Sequence, residues 1–352
     1  LESVCGEAAL CHNAIEMRAN AVRICVLALT AIALRAANHE LKATPQTVAV
    51  GYYWSEAKPV LRVQSGDTVR IETVSGSVPR LVELGVPKEQ IPPALDAIAS
   101  EVKDRGPGGH ILTGPVYIEG AQPGDVLEVR IQKIELAVPW AINSFRSTAG
   151  FLQEDFPYSR NKLIHLDGER MMGVFGAGIE VPLRPFFGSM GVSPPAAAGR
   201  YNSAPPWIHA GNLDNREFVA GTTLYIPVHV AGALFQVGDG HAGQGDGEVD
   251  ITAMETPLTG TFQFVVRKDM HLVWPRGETP THYIVMGMDE ELVVATQIAV
   301  REMIAFLVKE KGLNKDDAYM LSSVAADFRI TQLVDGKKGV HGMISKAIFR
   351  AR

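Results

Sequence analysis

Residues 238–248 read Gly238-Asp239-Gly240-His241-Ala242-Gly243-Gln244-Gly245-Asp246-Gly247-Glu248, five glycines among eleven positions. A helix is excluded there, because each interior glycine costs about 1 kcal/mol relative to alanine. Glycine permits positive φ and a close approach of main chain to a ligand, so Asp239, His241, Asp246 and Glu248 can converge on one point. The plain alternative is a solvated turn, since glycine with aspartate is common turn chemistry. The flanks favour a site. Before the loop, the run from Thr222 to Val237 is β-branched, aromatic and apolar, and reads as a buried strand delivering the loop. After it, Val249-Asp250-Ile251-Thr252-Ala253-Met254 resumes strand-like alternation. Polar loops on rigid strands are where binding groups usually sit.

The remainder of the chain reads as mainly β. Segments 60–72, 116–131 and 218–225 share a hairpin-like pattern, in which a strand meets a glycine turn and an alternating strand leaves it. The expected fold is a β-sandwich, jelly-roll-like, with a smaller α/β C-terminal part from about residue 280, all within one domain over residues 38–352. In that part, Leu292, Ala295, Ala299, Met303, Phe306 and Leu307 recur at helical spacing within residues 291–309. Asn314, with Asp317 three residues on, is a good N-cap for a second helix, and residues 328–334 read as a strand into the turn Asp335-Gly336. The proline- and glycine-rich stretches 105–109 and 193–199 read as long loops.

The net charge of −6 over 352 residues, 46% of them hydrophobic, suits a globular chain with a large core and leaves no basic excess for nucleic acid. Near the front, a basic start at Met17, an apolar run over 24–34 and an alanine-rich exit at Arg35-Ala36-Ala37 describe an export signal too short to span a membrane. Residues 1–16 then form an upstream extension, and an exported chain with no membrane contact after signal removal is expected. Cys5, Cys11 and Cys25 all precede residue 38. The body of the chain therefore has no disulfide, no cysteine–zinc site and no cysteine nucleophile.

Other candidates carry weaker signals. Asp214, in Gly211-Asn212-Leu213-Asp214-Asn215, offers a carboxylate, although an Asn/Asp turn explains the segment equally. His110 ends the 105–109 loop, where a lone histidine is more often structural, and His229 sits within an apolar strand. His165, Asp167, Glu169 and Arg170 suit a solvated face. Neither a P-loop nor an EF-hand spacing occurs, and Gly-x-Ser-x-Gly is missing, so a serine nucleophile elbow is unsupported.

Together, Gly211-Asn212-Leu213-Asp214-Asn215, Ala220-Gly221-Thr222-Thr223-Leu224-Tyr225-Ile226-Pro227-Val228 and the 238–248 loop resemble the acetamidase/formamidase family. So do Leu112-Thr113-Gly114-Pro115-Val116-Tyr117-Ile118-Glu119-Gly120-Ala121 and Pro185-Phe186-Phe187-Gly188-Ser189-Met190-Gly191-Val192. The resemblance implies hydrolysis of a short amide, of the formamide or acetamide class, to carboxylate and ammonia on a β-sandwich body. Where members of this family often carry a histidine just before the Gly51-Tyr52 equivalent, this chain has Val48-Ala49-Val50.

Without cysteine or a serine elbow, metal-activated water is the economical nucleophile. Asp214, His241 and Glu248 form the expected ligand set, compatible first with zinc, while calcium, manganese or iron also suit such donors. Asp239, Asp246 or His110 is expected to move the proton, Asn212 and Gln244 to contact the substrate, and Pro185-Phe186-Phe187 and Trp207 to wall the pocket. A larger amide or carbamoyl compound is an alternative substrate. A homo-oligomer is expected, with the helical C-terminal part as a candidate interface. The rival from another class is a non-catalytic exported β-sandwich that binds metal or sugar.

Overall fold

The computed structural model describes residues 36–350, so the segment up to residue 35, read above as an export signal, and all three cysteines lie outside the described residues. Two large sheets dominate. The first has nine strands in the spatial order Asn38–Leu41, Thr68–Glu72, Leu258–Arg267, Val126–Leu136, Thr222–Pro227, Arg276–Glu278, His282–Asp289, Lys338–Ser345 and Ala326–Gln332. The second runs Ala210–Asn212, Phe186–Gly191, Phe235–His241, Ile111–Ile118 and Val48–Val50, with Leu61–Val63 also on Ile111–Ile118. A four-stranded antiparallel sheet, Ile179–Pro182, Met172–Gly176, Arg160–Asp167 and Trp140–Phe145, stands beside them.

The two large sheets share one apolar core. Phe187, Met190, Phe235 and Val237 of the six-stranded sheet meet Val129, Ile131, Phe262 and Phe264 of the nine-stranded sheet, and all are buried. Alternation places every second side chain inward at Phe235 and Val237, at Val129 and Ile131, and at Phe262 and Phe264. Phe235 lies 5.9 Å from Phe262 and 4.9 Å from Phe264 between ring centroids, and burial of each such ring is worth about 1.5–3 kcal/mol. This arrangement is a sandwich.

Two of the three segments read as hairpins are corners instead, and in the third, 218–225, a turn leads into the single strand Thr222–Pro227. Leu61–Val63 pairs in the six-stranded sheet, and Thr68–Glu72, just beyond the Gly66 turn, pairs in the nine-stranded one. Ile111–Ile118 and Val126–Leu136 likewise divide across the Gly124 turn. Gly66 and Gly124 hold φ of 102° and 93°, so the chain reverses and changes sheet without a side-chain clash. The run 222–237 breaks in the same way: Thr222–Pro227 and Phe235–His241 belong to different sheets, separated by Gly232 and by Ala233 and Leu234 with positive φ.

Two further expectations need correction. Residues 249–254 form turns and bends rather than a strand, and Ile251 has φ of 89°. Asn143 and Ser144 of the neighbouring sheet hydrogen-bond Thr252, which supplies the pairing that a strand would otherwise need. Helices also occur early, at Val78–Glu83 and Pro93–Glu101, each with proline in its first turn. Both are short, which leaves little periodicity to read.

The C-terminal helices fall close to their expected bounds. Leu292–Lys311 buries Ala295, Ala299, Met303, Phe306 and Leu307 and stops at Gly312, whose φ of 69° suits glycine. Lys315–Ala325 begins at Asn314, whose side chain accepts from Asp317 N–H at 2.8 Å. These helices cover His282–Asp289 and Lys338–Ser345, which continue the nine-stranded sheet.

Candidate active-site cavity

The strand Phe235–His241 absorbs the first four residues of the glycine-rich segment and hydrogen-bonds along one side to Phe186–Gly191. Asp239 and His241 are two residues apart on it, and Asp239 Oδ2 lies 3.5 Å from His241 Nε2. The neighbouring strand leaves room for them at Gly188. A Cβ added at Gly188 would lie under 3.0 Å from Asp214 Oδ1, Asp239 Oδ2 and His241 Cε1, closer than real Cβ atoms come. The absent side chain is the cradle in which three polar groups gather.

Two crossings bring the remaining groups. Gly247 pairs with the strand Ala326–Gln332, donating to Thr331 O at 3.0 Å and accepting from Leu333 N–H at 3.0 Å. This docking carries Glu248 inward and sets the Asp335-Gly336 turn against the same space. Glu255 arrives by an isolated β-bridge to His241, with one carboxylate oxygen 3.2 Å from His241 Nε2. Asp214, Asp239 and Glu248 all have positive φ, at 47°, 56° and 43°. Such a conformation costs a non-glycine residue on the order of 1–3 kcal/mol and persists only where the surroundings impose it. Three strained acids around one histidine mark the place.

His241 is held from behind. The Gln244 amide donates to the main-chain carbonyl of Asp214 at 2.8 Å, which turns its own Oε1 toward His241 Nδ1 at 3.0 Å. An amide oxygen only accepts, so Nδ1 carries the hydrogen and Nε2 faces the acids. The Phe186 ring meets the imidazole edge-on at a centroid distance of 5.0 Å. Asn212 does the same for Asp214: it donates to Oδ2 at 2.6 Å and accepts from the Ser189 hydroxyl at 2.6 Å.

Among the buried atoms without a hydrogen-bond partner are Asp214 Oδ1, His241 Nε2, Glu248 Oε2 and Asp335 Oδ2 of this cluster. Leaving one such polar atom unmet costs about 1–3 kcal/mol, and more for a charged group. The ligand atoms of Asp214, His241 and Glu248 all lie within 4.8 Å of one another, and a second triad of Asp239, His241 and Glu255 shares the histidine. One imidazole with several carboxylates is a donor set for a divalent cation, and these residues fit one.

The electrostatics agree with that fit. Burial, reinforced by Glu248, pushes the Asp214 carboxyl well above the usual carboxylate range, and burial with nearby Asp335 does the same to Glu248. Burial raises Asp335 to about 6. Burial also works against charge on His241 and Asp239, yet their neighbours prevail. Glu255 and Asp239 hold His241 well above an ordinary imidazole, while His110 and His241 hold Asp239 below the ordinary range. The crowding of acids adds to burial in raising Asp214 and Glu248, and a bound divalent ion relieves it.

A cavity of 640 Å³ opens onto this cluster. Asn212, Asp239, Glu248, Glu255, Asp335 and His110 line its floor, and Trp140, Ile142, Ile251, Val334 and Pro205 supply apolar wall. Of the residues expected at a site, Asp214, Asp239, His241, Glu248, Asn212 and Gln244 are therefore brought together. His110 joins them, with Nε2 3.9 Å from Asp239 Oδ1 and Nδ1 3.0 Å from the Ser203 hydroxyl. Asp246 is not brought in. Its carboxylate accepts from Arg329 Nε at 2.7 Å, in an ion-pair group that includes Glu217, so it fastens the loop from outside. Phe186 and Phe187 are core, and Trp207 stacks on Tyr201, so none of them walls this cavity. Glu255 and Asp335 carry no local signal in the sequence: one follows an irregular stretch, the other looks like an ordinary Asp-Gly turn.

Comparison with known proteins agrees with this arrangement. The sequence pattern described as the Acetamidase/Formamidase family matches residues 38–201 and 195–350. A crystal structure of acetamidase from Bacillus halodurans is 30% identical and superposes with a TM-score of 0.74, over 88% of this chain and 98% of that one. A recombinant predicted acetamidase/formamidase from Thermoanaerobacter tengcongensis is 26% identical with a TM-score of 0.77, over 89% and 97%. A formamidase of Methylophilus methylotrophus is 25% identical over 191 residues, which is 40% of this chain and 47% of that protein. The chain spans about half the length of the curated relatives it matches.

Proposed function

Because the chain belongs to the acetamidase/formamidase family, we propose that it hydrolyses a carboxamide to a carboxylate and ammonia in the cavity above His241. The observation that carries this reading is the set of unpartnered atoms. Asp214 Oδ1, His241 Nε2 and Glu248 Oε2 are buried and unpartnered, and each of the three residues offers a ligand atom within 4.8 Å of the others. Asp214, His241 and Glu248 would hold a divalent cation, with zinc first and manganese or calcium as alternatives. When bound, such a cation supplies positive charge that acidifies water and polarises a carbonyl.

The chain's own groups supply the rest. Gln244 fixes the imidazole and Asn212 fixes Asp214, so both are positioning residues. Asn212 keeps a second amide hydrogen, and it lines the cavity where an amide oxygen can be met. Asp239, held ionised by His110 and His241, is the group suited to take a proton from attacking water. That proton passes to the amide nitrogen as the new C–O bond forms and the C–N bond breaks, which releases ammonia. His110, beside Asp239 at the cavity, is the second group in reach for this transfer.

The test is ammonia release from a panel of short amides, with elemental analysis of the purified chain. Activity is expected to disappear with chelator and to return with one divalent ion. His241→Ala should lose metal and turnover together while circular dichroism stays that of a β protein. Chelator-resistant turnover, or full activity in His241→Ala, overturns the metal assignment, and metal-dependent stability without turnover would favour a binding protein. Export directed by residues 24–34 and assembly into a homo-oligomer belong to the same proposal. Cell fractionation and light scattering on the full chain test them.

A further inference from the structure

The cavity is far larger than the smallest amides need. At the ~30 Å³ that one water occupies in the liquid, the four heavy atoms of acetamide fill roughly 120 Å³. The cavity has 640 Å³. It is also charge-polarised along its depth. Its floor holds the buried acids, while Arg80 and Arg146, which line the same cavity, are exposed and so stand at its mouth. Arg80 comes from the helix Val78–Glu83, and Arg146 from the turn after Trp140–Phe145. Chain segments more than sixty residues apart thus present two guanidinium groups to one opening.

Neither guanidinium faces a carboxylate among the described residues. Arg62, Arg184, Arg267 and Arg329 are each paired within 3.1 Å of an acid. Arg105, Arg160, Arg216 and Arg301 also have no carboxylate partner among the described residues, but Arg80 and Arg146 are the two that line one opening together. The hydroxyls of Ser75 and Ser77 line the same mouth. A guanidinium is a planar donor fork matched to a carboxylate. The two guanidinium groups at the rim match a carboxylate and the floor carries the groups that meet an amide, so a molecule with an amide at one end and a carboxylate at the other has one favoured orientation: amide inward, carboxylate at the rim.

We propose that the preferred substrate is an ω-amido carboxylate, such as the monoamide of a four- to six-carbon dicarboxylic acid, whose anionic end is bound by Arg80 and Arg146. This assignment rests on the amide-hydrolase reading of the same cavity. The reaction remains amide plus water to carboxylate plus ammonia. Arg80 and Arg146 contact the distal carboxylate and act on selectivity.

The experiment compares glutaramate with 5-oxohexanamide, in which an uncharged acetyl group of the same shape replaces the carboxylate, using the full metal-loaded chain. Charge-assisted hydrogen bonds at an exposed rim are expected to favour glutaramate about tenfold in kcat/KM, mainly through KM. The preference should shrink as salt is raised. In the double variant Arg80→Gln/Arg146→Gln the ratio should fall toward one, and Arg80→Lys/Arg146→Lys should restore part of it. Equal use of the two amides by the wild-type chain overturns the assignment, as does an unchanged ratio in the glutamine variant. If no amide is turned over, the amide-hydrolase reading fails, and equilibrium dialysis of glutaramate becomes the measurement. Binding that weakens about tenfold in the glutamine variant then supports the anion site, and equal binding overturns it.

Discussion

Gly188→Ala tests the idea that an empty cradle holds the site together. Gly188 lies in the buried strand Phe186–Gly191 and is not among the glycines with positive φ, so alanine meets no backbone strain there. The added methyl carbon would come under 3.0 Å from Asp214 Oδ1, Asp239 Oδ2 and His241 Cε1, against 3.4 Å for ordinary contact. Those groups must retreat by roughly 0.5 Å or more, and a displacement of about 1 Å in such a constellation costs on the order of 100-fold in rate. Overpacking a buried strand adds about 1–3 kcal/mol of destabilisation. At about 2–4 °C per kcal/mol for a domain of this size class, Tm should fall by roughly 2–12 °C. The expected outcome is a folded protein with weakened divalent-ion binding and ammonia release reduced by about 10- to 100-fold. Gly245→Ala is the control, because a Cβ there meets nothing within 4 Å. Thermal melts, metal titration and ammonia release on the two variants complete the experiment. If Gly188→Ala bound metal and released ammonia like Gly245→Ala, the convergence of Asp214, Asp239 and His241 behind that strand would not be what makes the site.

Gln244→Ala removes the acceptor that orients His241 Nδ1, and loss of such a supporting hydrogen bond weakens metal binding by about 10- to 100-fold; affinity equal to wild type in a competition titration would contradict it. Asp246→Asn should leave turnover within about threefold and cost at most about 1 kcal/mol, since its partner Arg329 is at a partly exposed ion pair; a loss above 100-fold in kcat would return Asp246 to the chemistry. The His341 contribution to stability should fall as pH drops from 6.5 toward 4, opposite in sign to that of the raised carboxyls of the site. Burial lowers His341 from its ordinary 6.5 to about 4, so in that window the unfolded chain binds a proton that the folded chain refuses. Its contribution is complete above pH 6.5 and lost on acidification, by at most about 3 kcal/mol. Urea unfolding at several pH values reads this, and a slope unchanged in His341→Asn would assign it elsewhere.

Much of the architecture was legible because it follows from short-range rules. Alternation through Val129 and Ile131 announces a buried strand, and the Asn314 cap with the apolar spacing over residues 292–307 announces two late helices. The turn at Gly66 was visible too, but not its meaning. Whether a reversal pairs its two strands or sends them to opposite sheets depends on partners more than a hundred residues away, such as Leu258–Arg267 for Thr68–Glu72.

The site divides along the same line. Asp239 and His241 are two apart on one strand, so their closeness is a property of the sequence once a strand is granted, and the glycines around them provide the room. Glycine content could not tell Glu248 from Asp246, although they are two residues apart in the same loop. The docking of Gly247 on Ala326–Gln332 turns Glu248 inward and leaves Asp246 to Arg329. Asp335 and Glu255 became neighbours of His241 by the same kind of long-range pairing. Residue types and local backbone freedom are written in the chain, and they are enough to say that acids and a histidine can gather. Which of them do gather is decided by strand pairing between distant segments, because the cost of burying an unpaired charge depends on which groups the folded sheets bring alongside it.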